Sequence, residues 1–177
     1  PDPTVVGQTF AVTFTVTGPG GTPTGNVTVS DGVNSCVGTV AAGTCTLSLT
    51  TVGARTLTAT YAGDASYQGG ASAGAAHQVN QAPTTTTISG FAPLTADTLT
   101  PVTVSWSVLA VAPGAGAPTG NVVITTDGAE TCSAAVAAGG CAVTFASSGS
   151  RAVTASYQGD ARFQPSATAA TPYTVTP

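Results

Sequence analysis

The sequence contains no lysine, and its only side chains that carry or can acquire positive charge are three arginines and one histidine. Charged residues make up 6% of the chain, where about a quarter is usual for a soluble domain. Three scattered arginines in a chain of net charge −4 cannot neutralise a phosphate backbone, which argues against nucleic acid as a partner. No apolar run approaches the ~20 residues of a membrane span, and no basic-then-apolar leader opens the chain.

The side chains of common catalytic units are also scarce. His77 is the only histidine, so a Ser-His-Asp or Cys-His unit has one position available in the whole chain. No stretch shows helical periodicity, so no glycine-rich loop leads into a helix N-terminus that could hold a phosphate. We therefore expect a protein without catalytic activity and without a cofactor.

The chain repeats itself. Residues 23–68 return at 118–164 with the same order of Pro, Gly-Asn, Asp-Gly, two cysteines, Arg and Tyr-x-Gly-Asp. From the cysteines onward the two copies are 96 residues apart, and upstream Phe14 aligns with Trp106 at a spacing of 92. A period of this size fits a whole small domain rather than a solenoid unit. The sequence predicts one domain at 1–80, a second at 83–177, and a short linker at 80–83.

Each copy holds one C-x8-C pair, namely Cys36 with Cys45 and Cys132 with Cys141. A zinc site would need two further ligands from a chain with a single histidine, so metal binding by these cysteines is disfavoured. We predict one disulfide in each copy. Disulfides persist in oxidising compartments, which places the protein outside the cytoplasm.

The apolar residues follow the period of β-strands. In residues 10–17, Phe10, Val12, Phe14 and Val16 alternate with smaller or polar residues, as in a half-buried strand. Turn signals such as Asp31-Gly32 separate short runs of this kind at intervals of eight to twelve residues. The pattern predicts an all-β chain of two immunoglobulin-like sandwiches arranged end to end, with a small barrel as the alternative architecture.

The segment PTGNVTVSDG, the cysteine-containing hairpin and the ending Y-x-G-D-x-x-Y resemble the bacterial immunoglobulin-like domains found in tandem on secreted and cell-surface proteins. The resemblance covers both halves. It implies seven-stranded sandwiches that serve as a stalk, an extender or a ligand-binding module, and it brings no catalytic residues. The absence of lysine and the low charge depart from the usual composition of that family.

The second copy opens with PTTTTISGFA at 83–92, which has the pattern of a first strand, and the first copy has no equivalent because Pro93 aligns with Pro1. A sandwich without that strand would expose the edge of residues 10–17. We predict a strand-acceptor edge at Phe10, Val12, Phe14 and Val16, completed by another subunit or an upstream segment. The alternative is that the sequence was cut at this point.

Other candidate residues have structural explanations. Asp64 and Asp160 are the best candidates for calcium, but Gly-Asp is also common in turns. Tyr61, Tyr157 and Trp106 are predicted core anchors. Three explanations of the low charge stay open: a surface buried in an assembly, a bias of composition, or glycan, for which Asn26-Val27-Thr28 is the only sequon.

Two functions remain from different classes. The first is a non-catalytic module of an extracellular stalk or fibre, joined to other copies of itself or to neighbouring repeats, with strand addition at the first domain. The second is an adhesin-type module that binds a carbohydrate or a surface. A repeating contact between chains would favour the fibre, and an exposed aromatic cluster or a bound ion would favour adhesion.

Overall fold

Threonine and apolar residues alternate in many short runs of this chain, and these runs form β-strands in the structure. The computed structural model describes all 177 residues and divides into Pro1–Gln81 (unit 1) and Ala82–Pro177 (unit 2). Apart from one 3-10 turn at Val136–Ala138, every regular element is a β-strand. None of the structure's helical elements has the length and hydropathy needed to cross a membrane.

Unit 1 consists of eight strands in two sheets. They are β1 (Thr4–Val5), β2 (Thr9–Thr13), β3 (Asn26–Ser30), β4 (Ser35–Thr39), β5 (Thr44–Ser48), β6 (Gly53–Tyr61), β7 (Gly70–Ala71) and β8 (Ala75–Asn80). The large sheet has the order β1-β8-β6-β3-β4, with β7 also paired to β6. The small sheet contains only β2 and β5.

Unit 2 repeats this plan with one additional strand. Its strands are β9 (Thr84–Ala92), β10 (Thr95–Asp97), β11 (Pro101–Ala110), β12 (Asn121–Thr126), β13 (Thr131–Ala135), β14 (Gly140–Thr144), β15 (Gly149–Tyr157), β16 (Ser166–Ala167) and β17 (Thr171–Thr176). The large sheet has the order β10-β17-β15-β12-β13, with β16 on β15, and the small sheet has the order β14-β11-β9.

Each core lies between the large and the small sheet of its unit, where the apolar residues of alternating strands meet. In unit 1 the fully buried side chains include Val27, Val29 and Leu49. In unit 2 they include Ile124 and Phe145. Because the buried residues of each unit come from both of its sheets, each unit has the layered core of a β-sandwich, as the alternating pattern predicts.

The Asp31-Gly32 turn forms as the sequence predicts. Gly32 has φ of +89°, a backbone conformation that favours glycine. The Asp31 carboxylate accepts hydrogen bonds from the backbone N–H groups of Val33 and Asn34 at 3.0 and 2.6 Å. This turn reverses the chain between β3 and β4, which places Cys36 opposite Val29.

The structure differs from two of the predicted boundaries. The predicted strand at 10–17 is shorter, because β2 ends at Thr13 and no ladder continues beyond it. The residues of the predicted linker at 80–83 belong to unit 1 or unit 2. Asn80 closes β8, and Ala82 is fully buried and donates its N–H to the Arg162 carbonyl in unit 2.

Candidate functional site: the uncovered edge of unit 1

The small sheets of the two units differ in one strand. In unit 2, β11 is hydrogen-bonded to β14 along one edge and to β9 along the other. In unit 1, the corresponding strand β2 pairs with β5 alone. Its second edge has no strand within the unit, so its backbone donors and acceptors on that side are uncovered.

This difference changes the burial of the side chains behind the edge. In unit 2, Val104, Trp106 and Val108 have exposed fractions of 0%, 5% and 6%. Their counterparts in unit 1 are Val12, Phe14 and Val16, and all three are only half-buried. Of the four predicted edge residues, Phe10 alone is buried. Three residues with a core pattern therefore remain partly open to solvent.

The uncovered edge forms one wall of a groove of about 530 Å³. The opposite wall comes from β6, from β7 and from the segment after β7, where the side chains are small. None of the residues that line the groove is charged. Ala59 illustrates the opening, because it is half-buried while its counterpart Ala155 is fully buried. We call this feature the strand groove.

Unit 2 shows what occupies the same position there. β9 runs antiparallel to β11, and two of its threonines reach the opposite wall. The hydroxyls of Thr84 and Thr86 lie 2.8 and 2.7 Å from the Ser166 hydroxyl. At the other end of β9, the ring of Phe91 packs 4.9 Å from the ring of Tyr173. β9 therefore closes the position that the strand groove leaves open in unit 1.

The sequence did not reveal the second wall of the strand groove. The aligned repeats place Gly70 where unit 2 has Ser166, and a side chain added at Gly70 would meet no atom within 4 Å. The signal that could have found this wall was the run of small residues GGASAGAA at 69–76. Periodicity alone does not identify it, because β7 contains only two residues.

The disulfides hold the partner strand of β2 in place. Cys36 on β4 bonds to Cys45 on β5, and Cys132 on β13 bonds to Cys141 on β14. Each bond therefore joins the large sheet of a unit to its small sheet. Because Cys45 lies opposite Val12 in the ladder, the first disulfide anchors the one strand that supports the uncovered edge.

Asp64 and Asp160 stabilise equivalent turns by accepting hydrogen bonds. One oxygen of Asp64 accepts the N–H and hydroxyl of Thr24 at 2.8 and 2.9 Å, and the other accepts the N–H groups of Ser66 and Tyr67 at 2.7 and 2.8 Å. These bonds, led by the Thr24 N–H, hold the pKa of Asp64 well below its usual range. Asp160 has the same arrangement with Thr119.

Burial opposes the effect at Asp160, but the hydrogen bonds from Thr119 and its own turn outweigh it and lower its pKa to about 2. Both predicted calcium candidates thus use their oxygens to hold backbone and hydroxyl groups. No three His, Cys, Asp or Glu side chains lie together as a metal site would need.

The three predicted core anchors lie inside the units. Trp106 is 5% exposed, and Tyr61 and Tyr157 are 7% and 1% exposed. The Tyr61 hydroxyl donates to the Thr24 carbonyl at 2.7 Å. Burial, followed by the charge of Asp160, raises the pKa of Tyr157 to about 12. The two tyrosines lie at the ends of β6 and β15 and Trp106 lies within β11, and none of the three offers an open aromatic surface for a ligand.

Two arginines pair with carboxylates in the turns after β3 and β12, and not with Asp64 or Asp160. Arg55 lies near the start of β6 and Asp64 follows its end, so the last six residues of the strand lie between the two charges. Arg55 instead bonds to Asp31 at 2.8 Å. Arg151 lies 3.1 Å from Asp127. The ion pairs therefore brace the turn at the other end of each sheet.

His77 is a buried structural residue. Its ring stacks on Phe10 with centroids 4.6 Å apart, and its Nε2 lies 2.9 Å from the Thr4 hydroxyl. No cysteine is free to act beside it. His77 thus forms a core contact between β2 and β8, and its Nδ1 lies 3.5 Å from the Asp2 carboxylate.

Solved structures with some similarity come from two bacterial proteins. The fibronectin(III)-like modules of Clostridium thermocellum CbhA are 18% identical with a TM-score of 0.39, covering 98% of this chain and 86% of theirs. The Escherichia coli adhesin FdeC is 20% identical with a TM-score of 0.32, and this chain spans 60% of its length while 99% of this chain is covered. At these sequence identities and TM-scores, neither similarity is informative about function.

No curated protein matches the sequence. The sequence profile of the bacterial Ig-like domain (group 3), however, matches residues 1–80 and again residues 84–176. These two matches confirm the resemblance indicated by the Tyr-x-Gly-Asp ending, and the strand order confirms the all-β prediction of two tandem domains. The chain belongs to the family of bacterial Ig-like domains (group 3), of which it contains two consecutive copies.

Proposed function

We propose that this protein is a non-catalytic structural module of an extracellular stalk or fibre, and that unit 1 joins it to a neighbour by strand addition. The observation that carries the structural role is the parallel pairing of the last strand of each unit with a strand near its start, which is the first strand in unit 1 and the second, after β9, in unit 2. β1 runs parallel to β8, and β10 runs parallel to β17. Tension applied to the ends of unit 1 therefore acts along its paired strands, whereas in unit 2 it enters through β9 and then reaches the pair β10–β17.

Parallel pairing of the end strands determines how a pulled unit resists. When two parallel strands are pulled from opposite ends, the hydrogen bonds between them are loaded together in shear, whereas a pulled hairpin opens one bond at a time. The ladder of unit 1 continues with Val6, whose N–H donates to the Asn80 carbonyl at 3.0 Å. In unit 2 the Thr98 N–H donates to the Thr176 carbonyl at 3.2 Å. Both units thus suit a spacer that holds distance under tension.

Two further features support an extracellular position. Each unit contains one disulfide between its sheets, and such bonds persist in oxidising compartments. Bacterial Ig-like domains that follow one another in tandem are also suited to a protein of the cell surface. The partners we propose are therefore neighbouring repeats of the same kind.

Single-molecule force spectroscopy on the full chain, held at its two ends, tests the structural role. We expect two unfolding events, one for each unit. Reduction of the disulfides should lengthen each event by about 25 Å, since nine residues at about 3.4 Å each are released from a Cα–Cα distance of 5.8 to 6.1 Å.

The variant Thr98→Pro removes the N–H that bonds to Thr176, and Thr98→Ala keeps it as the matched control. We expect Thr98→Pro to lower the unfolding force of unit 2 and to leave that of unit 1 unchanged, while Thr98→Ala changes neither. If both variants unfold at the same force as the parent chain, the parallel end strands do not provide the resistance and the proposed role loses its support.

A further inference from the structure

Another open edge lies on the large sheet of unit 1. The order β1-β8-β6-β3-β4 ends at β4, so this strand is paired on one side only. The opening does not depend on β9, because unit 2 contains β9 and still ends its large sheet at the equivalent strand β13. We propose that two copies of this protein pair along the open edge of β4, as antiparallel strands related by a two-fold axis at Val37.

The backbone bonds between β3 and β4 determine which groups of β4 face outward. Just beyond the ladder, the Val40 N–H donates to the Gly25 carbonyl at 2.9 Å. Hydrogen-bonded and non-bonded pairs alternate along two antiparallel strands, so every second residue of β4 bonds to β3. The remaining residues direct their N–H and C=O groups to the open edge, namely Ser35, Val37 and Thr39.

The edge of β4 has none of the features that usually keep an edge strand from pairing. Natural edges are commonly interrupted by proline, by a bulge or by a charged residue, above all lysine. This chain has no lysine, β4 contains no proline, and its register with β3 is unbroken. The nearest charged residues on either side in the sequence are Asp31 and Arg55, which pair with each other at 2.8 Å. Two such edges can therefore approach without electrostatic repulsion.

The equivalent edge in unit 2 is less suited to pairing. The centre of β13 is Ser133, which offers less apolar surface than a valine. The turn before β13 contains Asp127 and Glu130, and the single charge of Arg151 lies between them at 3.1 and 3.9 Å. One negative charge therefore remains in excess beside this edge, and it would repel the same charge of a second copy. In unit 1 the position of Glu130 is taken by the uncharged Asn34.

A second copy fits the edge of β4 because the outward groups are symmetric about Val37, its central residue. Across a two-fold axis, the N–H and C=O of Val37 would bond to those of the same residue in the other copy. On either side, the Thr39 N–H would donate to the Ser35 carbonyl of the other copy. The Thr39 carbonyl is already used, since it accepts the N–H groups of Ala42 and Gly43 at 3.1 Å.

The side chain of Val37 supplies the apolar contact. Cys36 is bonded across the sandwich to Cys45, so the next residue, Val37, points to the outer face of the large sheet. It is 60% exposed. In the pairing, the two valines would lie opposite one another with about 5.5 Å between their Cα atoms, close enough for β-branched side chains to pack.

The pairing is small, since each copy contributes one short strand. We expect a dissociation constant of about 0.1–1 mM for the isolated chain, as for a weak transient interface. Where several copies lie along neighbouring stalks, such contacts add and hold the stalks side by side. This lateral role rests on the structural function proposed above, whereas the pairing itself does not.

Sedimentation velocity of the full chain, from about 10 μM to about 2 mM, measures the pairing. We expect the parent chain to shift from monomer to dimer over this range. Val37→Lys should raise the dissociation constant at least about tenfold, because two lysines would face each other across the axis. Val37→Thr keeps the β-branched shape without a charge and should retain the dimer. Ser133→Lys places the same charge on β13 and should change nothing. Unchanged urea midpoints show that the variants are folded.

Amide hydrogen exchange followed by NMR identifies the paired surface. In the concentrated sample, the amides of Val37 and Thr39 should exchange about twofold or more slowly than in the dilute sample. The Ser35 amide should not change, because the Thr39 carbonyl opposite it is already bonded. The amides of Cys36 and Gly38 bond to β3 and should be protected at both concentrations.

Three results would overturn the proposal. A chain that stays monomeric over the whole range does not pair along β4. A dimer that survives Val37→Lys, or that protects residues 15–17 in place of Val37 and Thr39, uses another surface. Loss of the dimer with Ser133→Lys as well would show a general effect of charge. The force measurements use single molecules, so they judge the structural role separately from each of these results.

Discussion

A matched pair of valines tests the difference between the two cores. Val104 in unit 2 is fully buried beneath β9, and its counterpart Val12 in unit 1 is half-buried beside the strand groove. Truncating a buried valine to alanine removes about two methylene equivalents at about 0.8 kcal/mol each. The cavity left behind raises the cost of Val104→Ala to about 2–3 kcal/mol. The same change at Val12 should cost only about 1 kcal/mol, since solvent already reaches it.

Urea unfolding followed by tryptophan fluorescence measures each unit in the full chain. Trp106 is the only tryptophan, so the parent chain reports on unit 2 alone. Exchanging the aligned residues in the double variant Trp106→Phe, Phe14→Trp moves the reporter to unit 1. Val104→Ala is then measured in the first background and Val12→Ala in the second, each against its own parent.

Equal costs for the two truncations would refute the reasoning. They would mean that Val12 is as well covered in solution as Val104, and that unit 1 closes its groove by itself. The emission of the exchanged tryptophan provides an independent control. At position 14 it should be shifted to longer wavelength than at position 106, where the ring is 5% exposed.

Further outcomes follow from the disulfides and the turn carboxylates. Replacing Cys36 and Cys45 together by serine should lower the free energy of unfolding of unit 1 by about 2.5 kcal/mol, the loop-closure value for a ring of about ten residues, as measured by urea unfolding. An unchanged midpoint would contradict it. Because the pKa of Asp160 is lowered to about 2, its contribution is fully present above the ordinary pKa and is lost as pH falls through the folded value. The stability of unit 2 should therefore decrease between about pH 4 and pH 2, and Asp160→Asn should weaken that dependence in acid titrations. The same pH dependence of stability in the parent chain and in Asp160→Asn would contradict this role of the Asp160 hydrogen bonds.

The sequence was sufficient for the repeat and the fold class, because both depend on local signals. Asp31-Gly32 strongly favours a turn, and the alternation of apolar residues favours strands. The spacing of Cys36 and Cys45 suits a bond between strands that follow each other in the chain. The core position of Trp106 follows from its alignment with the apolar face of β11.

The sequence was insufficient where a result depends on a strand that is absent. Residues 14–17 have the pattern of a strand, yet β2 ends at Thr13, because a ladder needs a partner and the partner of this stretch in unit 2 is β9. The ion pair of Arg55 with Asp31 was also hidden, since it depends on the pairing of β3 with β6. The far wall of the strand groove depends on the two-residue strand β7, which leaves no periodic signal.

Hydrogen exchange with mass spectrometry on the full chain tests the central claim most directly, because it compares the same strand with and without its outer partner. We expect the amides of residues 15–17 to exchange much faster than those of their counterparts 107–109, which lie beside β9, whereas Phe14 and Trp106 both donate to a carbonyl on the inner side. Equal protection of residues 15–17 and 107–109 would contradict the account.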